Sequence, residues 1–166
     1  MPALESSRWF GLAALVAVLD QWTKHLVQSH LVYGESVEVT AFFDLVLVYN
    51  PGAAFSFLSS ASGWQREFFI GVALLASAYM SVLVVRHRDR RLLAFALSLV
   101  LGGAVGNLVD RVLLHAVVDF LSFHVGAHAW PAFNLADSAI TLGAGLLIAD
   151  SFLPRPKPAP EGAPPP

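Results

Sequence analysis

Two aspartates lie in apolar surroundings: Asp119 within Val117-Val118-Asp119-Phe120-Leu121, and Asp137 closing Phe133-Asn134-Leu135-Ala136-Asp137. Two carboxylates brought together at low dielectric cannot both ionise readily, so they share a proton. That state offers a general base and a general acid at once, which is enough to turn water on an amide. Neither a nucleophilic side chain nor a metal is then required. The chain has no cysteine, which excludes a thiolate nucleophile and a thiolate metal site. His25, His30, His87, His115, His124 and His128 lack metal-ligand spacing with a carboxylate partner, so neither a metal nor another cofactor is expected. Two aspartates of unknown separation do not by themselves fix an activity. The elements that place them decide.

The composition says what those elements are. Of 166 residues, 56% are hydrophobic and only 13% are charged, against about 25% charged in soluble domains. So little charge cannot cover a water-facing surface. A net charge of −2 leaves no basic excess for nucleic acid. The pattern predicts an all-α integral membrane protein with four transmembrane helices, about 9–29, 66–86, 91–112 and 131–153. Membrane lipids are then its surroundings. Residues 1–153 read as a single membrane domain, and the Pro-rich stretch 154–166 as a disordered cytoplasmic tail. No small-x-small cleavage site follows the first apolar run, so it reads as a retained helix. Arg8, Arg86, Arg88, Arg90, Arg91, Arg155 and Lys157 mark the cytoplasmic side, which puts both termini there. Residues 30–66 and 112–130 then face outward. Alternation in Val37–Thr40 and the run Leu45–Tyr49 predict a small extracytoplasmic sheet at about 35–57, between helices 1 and 2. Leu58 to Gln65 reads as a short interfacial piece.

Polar groups in a membrane are costly, and here they fall in one layer. At 1.5 Å per residue, Asp20 and Lys24 lie roughly 18 and 24 Å from the inner edge, and Asn107 roughly 23 Å. Arg111 reaches the outer boundary, and Asp137 lies just inside it. Each also has an ordinary reading. Asp20 and Lys24, at i and i+4, form a structural ion pair. Arg111 can snorkel to the surface. Asp110 reads as an interfacial charge and Asp150 as a solvated one. Gly102, Gly103 and Gly106 allow close helix packing. Asn50-Pro51-Gly52 reads as a turn.

Five blocks together carry a family resemblance: Asp20-Gln21-Trp22-Thr23-Lys24, Asn50–Phe55, Gly102–Arg111, Val117–Phe120 and Phe133–Ser138. In these blocks, and in their order, the chain resembles the lipoprotein signal peptidases, the type II signal peptidases of bacteria. The resemblance covers roughly residues 9–152. It implies a multi-pass aspartic endopeptidase of the bacterial inner membrane, with its active site at the outer face. Such an enzyme cuts the signal peptide from a prolipoprotein just before its diacylglyceryl-modified cysteine. The resemblance assigns catalysis to Asp119 and Asp137, with Asn50, Gly52, Asn107, Arg111 and Asn134 lining the site. It also implies binding of the family's cyclic lipopeptide inhibitor, globomycin. Physically, Asn107 and Arg111 share a helix face and could donate to substrate carbonyls, and Asn134 could orient the Asp137 carboxyl. The rival is a non-enzymatic transporter or lipid-binding subunit. A transporter should place its charges near the midplane and reach both faces, and a lipid binder needs no second acid.

Overall fold

The computed structural model describes residues 2–52, 64–126 and 128–153. Residues 53–57, most of the expected interfacial piece and the Pro-rich tail lie outside them. The described chain runs α1 (Pro2–His30), β1 (Ser36–Thr40), β2 (Phe43–Asn50), α2 (Gln65–Arg86), α3 (Arg91–Leu113), β3 (Val117–Val125), β4 (His128–Ala129) and α4 (Leu135–Ser151). The protein is therefore mostly helical, with one small antiparallel sheet.

The central helix is α3, which packs against α1, α2 and α4. Its glycines explain how. A Cβ on Gly102 would sit 2.6 Å from the Ala13 carbonyl oxygen of α1, and one on Gly106 would sit 2.5 Å from the Asp20 carboxylate. A Cβ on Gly103 would collide with the Ala136 carbonyl of α4. Small residues let three backbones close on one another where lipid supplies no hydrophobic drive. In contrast, α2 buries only Gln65 and Val84 and leaves Phe68, Leu74, Leu75 and Tyr79 exposed, a surface suited to lipid. Among the described residues, α2 and α3 are the helices long and apolar enough to cross a membrane. α4 is shorter, at 17 residues.

The sheet differs from the one expected between helices 1 and 2. It has four strands in the order β1-β2-β3-β4, so the connection after α1 and the connection after α3 both build it. β2 pairs antiparallel with β3, with Phe43 opposite Phe123, Val48 opposite Asp119 and Asn50 opposite Val117. The reason is the open edge of the β1–β2 hairpin, whose unpaired amides and carbonyls need a partner strand. The β-branched and aromatic run Val117–Val125 supplies it. Its first four residues are buried. Asp119 thus sits on a buried, paired stretch of strand. The chain reverses from α3 into β3 through His115, which takes φ 65°. α4 begins at Leu135, later than the expected 131, because the Asn134 side chain caps it by accepting from the Asp137 amide at 2.9 Å.

Candidate active site

A cavity of about 780 Å³ opens where the ends of α3 and α4 meet the sheet, and Asn50, Asn107, Arg111, Asp119 and Asp137 line it. These five come from β2, α3, β3 and α4. Gly52 joins them through its carbonyl, which accepts from Arg111 Nη2 at 3.1 Å. Asn134 is fully buried behind the two aspartates. The seven residues predicted to form the site are therefore together.

The register explains the first contact. Asn50 and Asp119 are diagonal neighbours on one face of the β2–β3 pair, and Asn50 Nδ2 donates to Asp119 Oδ2 at 3.1 Å. The other oxygen, Oδ1, accepts from Asn134 Nδ2 at 2.8 Å. Asp137 Oδ1 accepts from Asn107 Nδ2 at 2.8 Å. Each carboxylate is thus oriented by an amide. Asn134 serves both ends, with its Oδ1 on the Asp137 backbone amide and its Nδ2 on the Asp119 side chain. Burial, and then the negative charge of Asp137, push the Asp119 carboxyl up to about 7, against the hydrogen bonds from Asn50 and Asn134. One acid is therefore poised to hold a proton near neutral pH. Arg111 lies over the Phe69 ring at 5.2 Å, and its Nε is buried with no hydrogen-bond partner among the described residues. No group of His, Cys, Asp and Glu that could hold a metal occurs among the described residues.

The chain matches the family described as Signal peptidase (SPase) II over residues 12–153. It is 59% identical over 140 residues to a lipoprotein signal peptidase of Azoarcus sp. (strain BH72), covering 84% of this chain and 80% of that one. The chain belongs to the signal peptidase II family. A lipoprotein signal peptidase of Cupriavidus taiwanensis is 57% identical over 144 residues, covering 87% of this chain and 82% of that one. Two solved structures described as a bacterial membrane enzyme superpose with TM-scores of 0.78 and 0.72, at 29% and 30% identity. They cover 92% and 88% of this chain, and it covers 94% and 93% of theirs. The protein is accordingly a protease, and its fold is that of bacterial membrane enzymes.

Several polar residues sit elsewhere than the sequence suggests. Asp110 is not an interfacial charge: it is 2% exposed and ion-paired to Lys24 at 2.8 Å, because α1 packs over that face of α3. Asp150 is not solvated: its side chain is 11% exposed and meets Arg90 Nη2 at 2.6 Å. The Asn107 side chain is engaged at both ends. Its Nδ2 holds Asp137, while its Oδ1 accepts from Lys24 at 2.9 Å and from Asn134 at 3.2 Å. The side chain of Asn134 grips Asp119, not the Asp137 carboxyl. Lys24 pairs with Asp20 at 2.8 Å, yet it also reaches Asp110 and Asn107. Gln21, which sequence reasoning passed over, donates to Asp110 Oδ1 at 2.7 Å and to the Gly106 carbonyl at 3.0 Å. The signal was present in the block Asp20–Lys24, where an amide stands beside an acid in an otherwise apolar helix.

Proposed function

We propose that this chain is a membrane aspartic endopeptidase that removes signal peptides from diacylglyceryl-modified prolipoproteins, cutting before the lipidated cysteine. The observation that carries the reading is the pair Asp119 and Asp137 on one cavity, each fixed by an amide donor. Asp119 starts protonated and Asp137 serves as the base. Asp137 takes a proton from water as its oxygen attacks the scissile carbonyl, and the Asp119 proton passes to the carbonyl oxygen. The tetrahedral diol then collapses. Asp137 returns its proton to the leaving nitrogen, the C–N bond breaks, and a diol hydroxyl gives its proton back to Asp119. Both acids end as they began, and one water has been consumed.

Arg111 lines the cavity and its guanidinium can meet a carbonyl of the peptide next to the cut. Gly52 lets backbone lie close to that strand. The far wall of the cavity, with Trp130, Ile140 and Leu142, is apolar and suits acyl chains. In this reading all four helices span the membrane within one unit, residues 1–153, with both termini cytoplasmic and the cavity at the outer interface. A globomycin-type lipopeptide competes for the same cavity.

The test is cleavage of a lipidated preprolipoprotein by purified protein. Asp119→Asn and Asp137→Asn should each abolish product while the protein stays folded, because acid and base act as one unit. Substantial turnover by either variant would remove the pair from catalysis. A chelator should leave the rate unchanged, and inhibition reversed by added zinc would replace this mechanism with a metal-dependent one.

A further inference from the structure

Beneath the cavity lies a second set of charges that the mechanism does not use. Lys24, Asp20 and Asp110 are each no more than 2% exposed. An ammonium has three protons to give, and Lys24 gives them to Asp20 Oδ2 at 2.8 Å, Asp110 Oδ2 at 2.8 Å and Asn107 Oδ1 at 2.9 Å. The two acids have further partners. Asp20 Oδ1 accepts from the backbone amide of Ala136 at 2.9 Å. Asp110 Oδ2 accepts from the backbone amide of Val118 at 3.0 Å. Ala136 immediately precedes Asp137, and Val118 immediately precedes Asp119.

We propose that Lys24, Asp20 and Asp110 form a positioning cluster that sets the separation of Asp119 and Asp137. Each cluster acid grips the backbone amide of the residue that precedes one member of the pair, and the single ammonium ties the two acids together. The third proton of Lys24 fixes the sense of the Asn107 amide: with Oδ1 facing Lys24 and Asn134, Nδ2 must face Asp137. A flipped Asn107 would set its NH₂ against the ammonium and its oxygen against a carboxylate.

An ordinary ion pair between Asp20 and Lys24 would account for only one of these contacts. It would not account for a carboxylate on β3's backbone and another on α4's. Both gripped amides lie in buried stretches, Val117–Phe120 and Ala136. A shift at either grip is therefore passed to the neighbouring aspartate instead of being absorbed by solvent-exposed backbone. Misplacement of a reacting group by about 1 Å can cost 10²-fold in rate, so the lever is long enough to matter.

The inference rests on Asp119 and Asp137 being the reacting pair, so those variants are run beside the cluster's own. The cluster variants are Asp20→Asn, Asp110→Asn and Lys24→Met, with the double variant Lys24→Met/Asp110→Asn. The readouts are detergent-solubilised melting temperature, and kcat and KM on lipidated substrate at matched folded protein. A positioning role lowers kcat by about 10²-fold with KM little changed. It also makes the double variant no slower than the slower single, because one unit has already been broken. A merely structural role lowers the melting temperature and leaves kcat per folded molecule at wild type, which overturns the proposal. Failure of every cluster variant to fold also overturns it, by making the cluster scaffold only. If Asp119→Asn or Asp137→Asn turns over normally, the assignment beneath has failed. If those two are dead and the cluster variants are fast, only the cluster's role has failed.

Discussion

Asp119 holds the main acid–base tension in this molecule. Its carboxyl is raised by burial and by Asp137 to about 7, from 3.8. The folded state therefore binds this proton more tightly than the unfolded chain does. Stability from this group is fully present below the unfolded value and is lost as pH rises towards 7. Above that, the fold must bury a charge. Asp119→Asn removes this cost, so its melting temperature should match wild type near pH 4 and exceed it at pH 8. The difference should be on the order of a few kcal/mol, read from thermal melts in detergent. The same ionisation removes the proton the reaction needs, so wild-type kcat/KM should fall on the alkaline side with an apparent midpoint near pH 7. A flat profile from pH 6 to 9 would contradict the assignment of the acid. Arg111 poses a different question, because a snorkelling arginine tolerates lysine. Here the guanidinium spans from the Asn107 carbonyl at 3.3 Å to the Gly52 carbonyl at 3.1 Å. An ammonium cannot make that fork. Arg111→Lys should therefore slow cleavage strongly although the charge survives, and a near wild-type initial rate would strike Arg111 from the site.

At the scale of elements, the glycine face of α3 sets where α1 and α4 lie. Gly106→Ala places a methyl 2.5 Å from Asp20 Oδ2 and 3.3 Å from its Cβ, against a side chain that Lys24 and Ala136 hold in place. Overpacking of this kind costs about 1–3 kcal/mol. The melting temperature should fall and cleavage with it, whereas Gly145→Ala, with open space at its Cβ, should change neither. The apolar runs made α2 and α3 legible in the sequence, since charge-free stretches of that length have few other uses. The residues that gather at the cavity stand out in the sequence through their blocks. The β2–β3 pairing was not: some seventy residues separate Asn50 from Val117, and a one-strand-at-a-time reading of alternation contains no information about distant partners. Asp110 was misread for a related reason. A charge near a helix end looks interfacial until the helix that covers it, α1, is in place. Gln21 was missed because its partners lie on α3, more than eighty residues along the chain.

For the whole molecule, the two ends of the helical layer differ in charge and in job. At one end, Trp9 Nε1 of α1 donates to the Arg88 carbonyl at 2.9 Å, and Asp150 of α4 meets Arg90. The beginning of α1, the α2–α3 link and the end of α4 thus gather around Arg86, Arg88, Arg90 and Arg91. Counting up α3 from Arg91, Asn107 lies roughly 24 Å away at 1.5 Å per residue, near the opposite end of the layer. There the sheet, both aspartates and Arg111 converge. Lysine and arginine in short links stay in the cytoplasm, and in the proposed orientation the basic end faces inward and the cavity faces out. That is where the processing site of a secreted, lipid-anchored precursor would come to rest. Reporters fused within the Arg86–Arg91 link and after Leu153 should therefore both read cytoplasm, and one inserted at Gly126, in the exposed turn after β3, should read outside. The three positions are not independent guesses. One membrane crossing per helix fixes all of them together, so a cytoplasmic signal at Gly126 would break the four-span arrangement. A full inversion would keep the spans but place Asp119 and Asp137 on the side no exported precursor presents, and the proposed substrate would have to be abandoned with it.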